Sequence, residues 1–378
     1  MTRFALIGAR ILSRGGWLDD HAVIVAGEMI EGVVPAAALD PGIDIQQLGG
    51  GALVPGFIDT QVNGGGGVLF NDAPTVDGIA AIAAAHRSFG TTAMLPTLIS
   101  DDLSVVEQAI AAVDEAIASG VPGVIGIHIE GPFLNAAKRG IHDATKFRVL
   151  DADAVALLSS LKHGKTLVTL APECAPSGMI AALVERGVIV AAGHTLASYD
   201  DMRCAIAEGL SGVTHLFNAM TQMEGRAPGV VGAALEGDLF CGIIADGHHV
   251  HAAALRAAIR ALGPERLMLI TDAMPCVGTA MTSFRLGGEE IKLKDGALRD
   301  ADGTLAGSNL DMGCAVRNAI SMMTFNAQCA HIMASATPAH FLGISDEYGD
   351  ISSDYHANLA HIDNNGVVQA TWISGRPA

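Results

Sequence analysis

The sequence predicts an α/β chain: a closed (β/α)₈ barrel of the TIM type, with a small β-sandwich built from both chain termini. Three observations carry this. Eight short apolar runs, at 53–59, 91–97, 123–130, 166–172, 188–194, 212–217, 240–245 and 267–272, alternate with helical stretches, the order of a parallel barrel. Strand-rich segments stand at both ends of the chain. Four of the runs stop on Glu130, His194, His215 and Asp272, at the strand ends where a barrel carries its chemistry. The expected division is 1–52 together with 346–378 for the sandwich and 53–345 for the barrel. A barrel of roughly 250 residues leaves room for such a module.

In chain order, Phe4–Gly8, Ala22–Val25 and Met29–Val34 are short β-branched or apolar runs separated by glycine turns and acidic residues, which suits an antiparallel sheet. From Ala52 onward, helical stretches separate the barrel runs: Val76–Phe89, Leu103–Ala118, Ala152–Lys162, Met179–Arg186, Tyr199–Glu208 and Ala252–Leu262. Phe284–Leu305, with Lys294-Asp295-Gly296 as a turn, reads as a hairpin inserted after the eighth strand. Ser308–Met323 and Pro338–Leu342 read as helices that close the barrel. Leu359 onward, with the Asn364-Asn365-Gly366 turn and Val367–Ile373, returns to strand. Met322, Met323 and Met333 fall at helical spacing and read as core filler.

Composition narrows the function classes. Half of the 378 residues are hydrophobic and 16% are charged, so a large core is available. The net charge of −18 argues against nucleic acid or an anionic membrane as partner, since both need a basic face. No run approaches 18 apolar residues free of charge or histidine, so no membrane span is expected. Arg3, Arg10 and Arg14 interrupt the start and deny it a signal-peptide layout, while six scattered cysteines read as free thiols. A cytoplasmic setting is the expectation.

Val124–Ile129 is a buried run that ends on Glu130 and is stopped by Gly131-Pro132. The same pattern delivers His194, His215 and Asp272. One carboxylate and two imidazoles are a plausible ligand set for a catalytic divalent ion of the zinc class. They lie 64 and 21 residues apart, so only a barrel rim could bring them together. From spacing alone a second reading stands equally, that of strand-end polar residues packed against loops.

Pro55-Gly56-Phe57-Ile58-Asp59, His128-Ile129-Glu130-Gly131-Pro132-Phe133, Gly193-His194-Thr195, Thr214-His215-Leu216-Phe217-Asn218-Ala219-Met220, Asp246-Gly247-His248-His249-Val250 and Thr271-Asp272-Ala273 stand in that order. Together they resemble the N-acetylglucosamine-6-phosphate deacetylase family of the amidohydrolase superfamily. The resemblance implies Glu130, His194 and His215 as metal ligands and Asp272 as catalytic acid and base. His142 would meet the acetamide carbonyl. Ile141, Asn218, Ala219, Asp246, His249 and the Leu305-Ala306-Gly307 segment would line the phosphosugar. Arg226 would reach a neighbouring subunit's site, which implies a homodimer at least, with pairing into tetramers left open. The implied reaction removes acetate from N-acetyl-D-glucosamine 6-phosphate. Alternatives are a sibling hydrolase acting on another N-acyl sugar or cyclic amide, and a non-catalytic relative with an assembly role.

Gln61 and Asn63 stand where many amidohydrolases carry the His-x-His pair of a second metal. Amides are poor zinc ligands, so one divalent ion per subunit is expected, zinc first, with iron, cobalt or manganese as alternatives. The tail departs from the resemblance at Ser353–Leu359. Gly64–Gly67 reads as a rim loop, because no Lys-Ser/Thr follows it as in a phosphate cradle. Lys138-Arg139, just ahead of His142, reads either as a solvated pair or as cations for an anionic substrate.

Overall fold

The computed structural model describes residues 2–323 and 326–378, and the side chain of Met323 also lies outside the described set. Strands β1 (Phe57–Val62), β2 (Thr91–Ile99), β3 (Gly126–Glu130), β4 (Lys165–Leu170), β5 (Ile189–Ala192), β6 (Gly212–Val213), β7 (Phe240–Ile244) and β8 (Leu267–Ile270) form one sheet in sequence order. All neighbours pair in parallel. The sheet closes through a parallel bridge between Val62 and Ala273 and a hydrogen bond of 2.9 Å from Asp272 N–H to Gln61 O. Helices α1 (Val76–Arg87), α2 (Leu103–Ala118), α3 (Ala152–Leu158), α4 (Met179–Val184), α5 (Tyr199–Ala207), α6 (Gly229–Glu236) and α7 (Ala252–Leu262) lie between the strands, and α8 (Met312–Met323) follows the last. This is the predicted barrel.

The strands are apolar because both faces are covered. Every residue of β1, β2, β3 and β8 is buried, as a parallel sheet wrapped by helices requires. Most of the helices bury one stripe. In α7, Leu255, Ala258, Ile259 and Leu262 face inward at helical spacing, and the side chain of His251 caps the start by accepting from Ala253 N–H. A capping box of Ser198 and Asp201 starts α5, and Thr75 starts α1. Met333 is buried and Met322 packs partly buried against the same core.

One element differs from its sequence pattern. Residues 53–59 read as a single strand, yet Ala52–Pro55 belongs to a different sheet from Phe57–Val62. The hinge is Gly56, where a Cβ would fall 2.2 Å from Thr92 Oγ1. No side chain fits where the chain passes this close to β2. Ala52–Pro55 instead pairs antiparallel with Leu359–Ile362, inside a six-stranded sheet that also holds Arg10–Ser13, Gly16–Leu18, Val368–Ile373 and Arg376–Pro377. A four-stranded sheet of Met29–Pro35, His21–Ala26, Arg3–Ile7 and Asp44–Gln47 stands beside it. Leu6, Ile11, Val23, Leu53, Leu359 and Trp372 pack in one cluster, so residues from both chain ends share a core. The insertion after β8 is a three-stranded antiparallel sheet of Ser283–Leu286, Glu289–Lys294 and Ala297–Arg299.

Helix α6 had no counterpart in the sequence pattern. Its residues Gly229–Ala234 are all buried, so no polar face marks a helical period.

Candidate active site

The barrel strands deliver their terminal side chains to one rim, and the backbone turns sharply there. His194, His215 and Asp272 adopt positive φ of 49°, 33° and 52°. Non-glycine residues rarely sit in this region, and they do so mainly where the surroundings force it, as at functional sites. The turn directs each side chain inward from the strand end. Glu130, His194 and His215 are 2%, 6% and 4% exposed.

These three converge. Glu130 Oε1 lies 3.2 Å from His194 Nε2 and 3.0 Å from His215 Nε2, and the two Nε2 atoms are 3.0 Å apart. Among the described residues no other group of three or more His, Cys, Asp or Glu gathers in this way. His194 Nδ1 lies 2.8 Å from Lys138 O. A carbonyl can only accept, so the neutral ring carries its proton on Nδ1 and turns the lone pair of Nε2 toward Glu130 and His215. That is the tautomer a ligand needs, and the donor set fits a divalent ion of the zinc class. Burial alone would push the Glu130 carboxyl up. The close imidazoles of His215 and His194 outweigh this and hold it well below the usual carboxylate range.

Asp272 faces this triad. Its Oδ1 accepts from Asn63 Nδ2 at 2.6 Å and Gln61 Nε2 at 3.1 Å, and Gln61 Nε2 also reaches Glu130 Oε2 at 3.2 Å. Gln61 and Asn63 thus act as hydrogen-bond donors, spacing two buried carboxylates. Burial first, and then the charge of Glu130, push the Asp272 carboxyl up to about 6.

His142 is the fifth side chain at the centre. Ser100 N–H points at its Nδ1 from 3.3 Å, and an amide can only donate. Nδ1 is therefore the acceptor, and Nε2 carries the proton, 4.0 Å from Glu130 Oε2. Burial pushes the pKa of His142 down to about 3, so the ring is neutral at pH 7. It is a hydrogen-bond donor aimed into the site.

A cavity of about 470 Å³ opens above these groups, lined by Asn63, Glu130, Ile141, His142, His194, His215, Asn218, Ala219, His249, Asp272, Leu305 and Gly307 among others. Asp246 is one step removed, holding His249 Nδ1 at 2.6 Å through its Oδ2. Ala306 is turned away into an apolar cluster with Leu69, Met274 and Leu298. Arg226 is exposed on the segment between β6 and α6 and does not line the cavity of its own chain. Lys138 does line it, as does Arg299, at the end of the third strand of the insertion. Arg299, Thr304, Met274 and Ile99 were invisible in the sequence, where none carries a motif. The hairpin that brings Arg299 in shows only as a pattern of alternating residues.

The comparisons agree with this geometry. The profile of the amidohydrolase family matches residues 52–378, and that of the NagA composite domain matches residues 3–53. The N-acetylgalactosamine-6-phosphate deacetylase of Shewanella sp. (strain ANA-3) is 43% identical over 99% of this chain and 96% of its own length. The N-acetylglucosamine-6-phosphate deacetylase of Haemophilus influenzae is 34% identical over 99% of each. Among solved structures, N-acetylglucosamine-6-phosphate deacetylase from Pasteurella multocida superposes with a TM-score of 0.96 at 32% identity, covering 100% of this chain and 99% of that one. A mutant of the Mycobacterium smegmatis enzyme, in complex with N-acetyl-D-glucosamine-6-phosphate, gives 0.90 at 31% identity, with the same coverage.

Proposed function

The chain belongs to the amidohydrolase family, and from that premise we propose that it hydrolyses N-acetyl-D-glucosamine 6-phosphate to D-glucosamine 6-phosphate and acetate. The observation that carries the reading is the single cavity in which Glu130, His194 and His215 face Asp272 and the neutral donor His142. One divalent ion per subunit, zinc first, would be held by those three ligands. It would supply Lewis acidity to the amide carbonyl and to the attacking water.

The residues of the chain do the rest. Asp272, with Oδ1 already bonded to Gln61 and Asn63, offers Oδ2 to take the proton of the water as its oxygen bonds to the carbonyl carbon. His142 Nε2–H donates to the carbonyl oxygen, where negative charge grows. Asp272 then returns its proton to the nitrogen as the C–N bond breaks, releasing the amine and acetate.

The phosphate end would lie at His249, which Asp246 orients. Arg226 would enter from a neighbouring subunit, making the working form a homodimer at least. Among the described residues no helix is long and apolar enough to cross a membrane, and all six cysteines are free, which fits the proposed cytoplasmic setting. A second reading has the C4 epimer, N-acetyl-D-galactosamine 6-phosphate, as substrate, because the Shewanella relative at 43% identity carries that name. Acetate release from both phosphosugars and from the free sugars tests the two together. Dominant turnover of the galactosamine epimer would replace the first reading by the second.

Arg226→Met is expected to raise KM for the 6-phosphate by roughly 10-fold or more, the value of a charge-assisted contact. KM for the unphosphorylated sugar should hardly move. Equal effects on both would show that Arg226 does not read the phosphate.

A further inference from the structure

Glu173, in the turn Pro172–Cys174 just after β4, is outside the cavity and bonds to none of the triad side chains. Its partners nevertheless enclose one of them. Oε1 accepts from Leu196 N–H at 2.6 Å and from Asn135 Nδ2 at 2.9 Å, and Oε2 accepts from Thr195 Oγ1. Leu196 and Thr195 immediately follow His194. Asn135 lies on the loop after β3, and its own N–H donates to His194 O at 3.0 Å. The side-chain oxygen of Asn135 accepts from Ala137 N–H and so caps the turn Ala136–Lys138. The last carbonyl of that turn is Lys138 O, the acceptor of His194 Nδ1.

One carboxylate therefore ties together the loops after β3, β4 and β5. Two routes lead from it to His194: one along the backbone through Thr195, the other through Asn135 and the turn that presents Lys138 O to the ring. Among the described residues no ion pair includes Glu173, so its acceptor capacity serves these neutral donors.

We propose that Glu173 is a positioning residue for the metal centre: it fixes the orientation of His194, and with it how long the ion is held. The inference rests on the three-ligand reading above. Partners that orient a ligating histidine typically change metal affinity by 10–100-fold when removed. A merely structural role would lower the melting temperature of the metal-free protein and leave zinc retention alone.

The test uses full-length protein loaded with zinc and follows transfer of the ion to a chromogenic chelator, alongside the melting temperature of the metal-free form. Glu173→Ala is expected to release zinc roughly 10–100-fold faster. Glu173→Gln should recover most of the loss, since an amide oxygen can accept from Leu196 and Asn135 while its NH₂ donates to Thr195 Oγ1. Asn135→Ala should act in the same direction, and the double variant should lose less than the sum of the two, as members of one network do. Glu208→Ala removes a carboxylate that bonds Gly178 N–H and Ala181 N–H, away from His194, and should release zinc at the parent rate. Parent-like zinc release from both Glu173→Ala and Asn135→Ala would overturn the proposal, whatever their melting temperatures. Acetate release by the parent is scored separately, and its failure would refute the functional reading rather than this one.

Discussion

Asp272→Asn is expected to lower kcat by roughly 10²–10⁴, the usual cost of losing one general acid–base group, in a protein that keeps its metal. The substitution preserves shape and can still accept from Gln61 and Asn63, but it removes the oxygen that takes a proton. If Asp272 only braced a ligand, the variant would lose its metal and recover activity in excess metal. A metal-replete variant with turnover within a few-fold of the parent would rule the catalytic role out. The pH profile gives a second check. Burial and the charge of Glu130 hold the carboxyl up at about 6, and a divalent ion beside it acts in the opposite direction. The base form is the active one, so kcat/KM is expected to fall as the pH drops through a limb at or below that value. His142 contributes no limb there, because its pKa lies at about 3. Asp272→Asn should erase the limb along with the activity.

Stripping the divalent ion is expected to cost at least about three orders of magnitude. Lewis-acid stabilisation is worth several kcal/mol, and each 1.4 kcal/mol is about tenfold in rate. One equivalent per chain should restore the activity in full. The reason lies in Gln61 and Asn63, whose side-chain N–H groups are already committed to Glu130 and Asp272. Two equivalents retained after dialysis, both required for turnover, would refute the single-ion assignment.

The sequence made the rim residues legible because a buried strand that stops on an isolated polar residue is a local signal. Glu130, His194, His215 and Asp272 each end such a run, and the barrel brought them together as expected. What escaped was non-local. Glu173 and Arg299 are placed by loops that meet only in three dimensions, and neither has a spacing that announces it. Helix α6 escaped because six consecutive buried residues, Gly229–Ala234, leave no amphipathic period to read. The split at Gly56 escaped because Ala52–Pro55 and Phe57–Val62 are both fully buried, and hydropathy does not register which sheet a residue joins. The three candidate ligands, by contrast, needed no knowledge of the groups that surround them.

The pairing of Ala52–Pro55 with Leu359–Ile362 also bears on how the protein is made. A ribosome adding about 5–20 residues per second delivers the second strand of this pair roughly 15–60 s after the first. Through that interval the edge that Ala52–Pro55 will offer to Leu359–Ile362 has no native partner, although Arg10–Ser13 already stands on its other side. An uncovered apolar strand is where a nascent chain is captured by chaperones or by its own copies. The nascent protein is therefore exposed to misassembly at the six-stranded sheet, which holds none of the cavity-lining residues, and its yield should depend on holdase supply more than its finished stability would suggest.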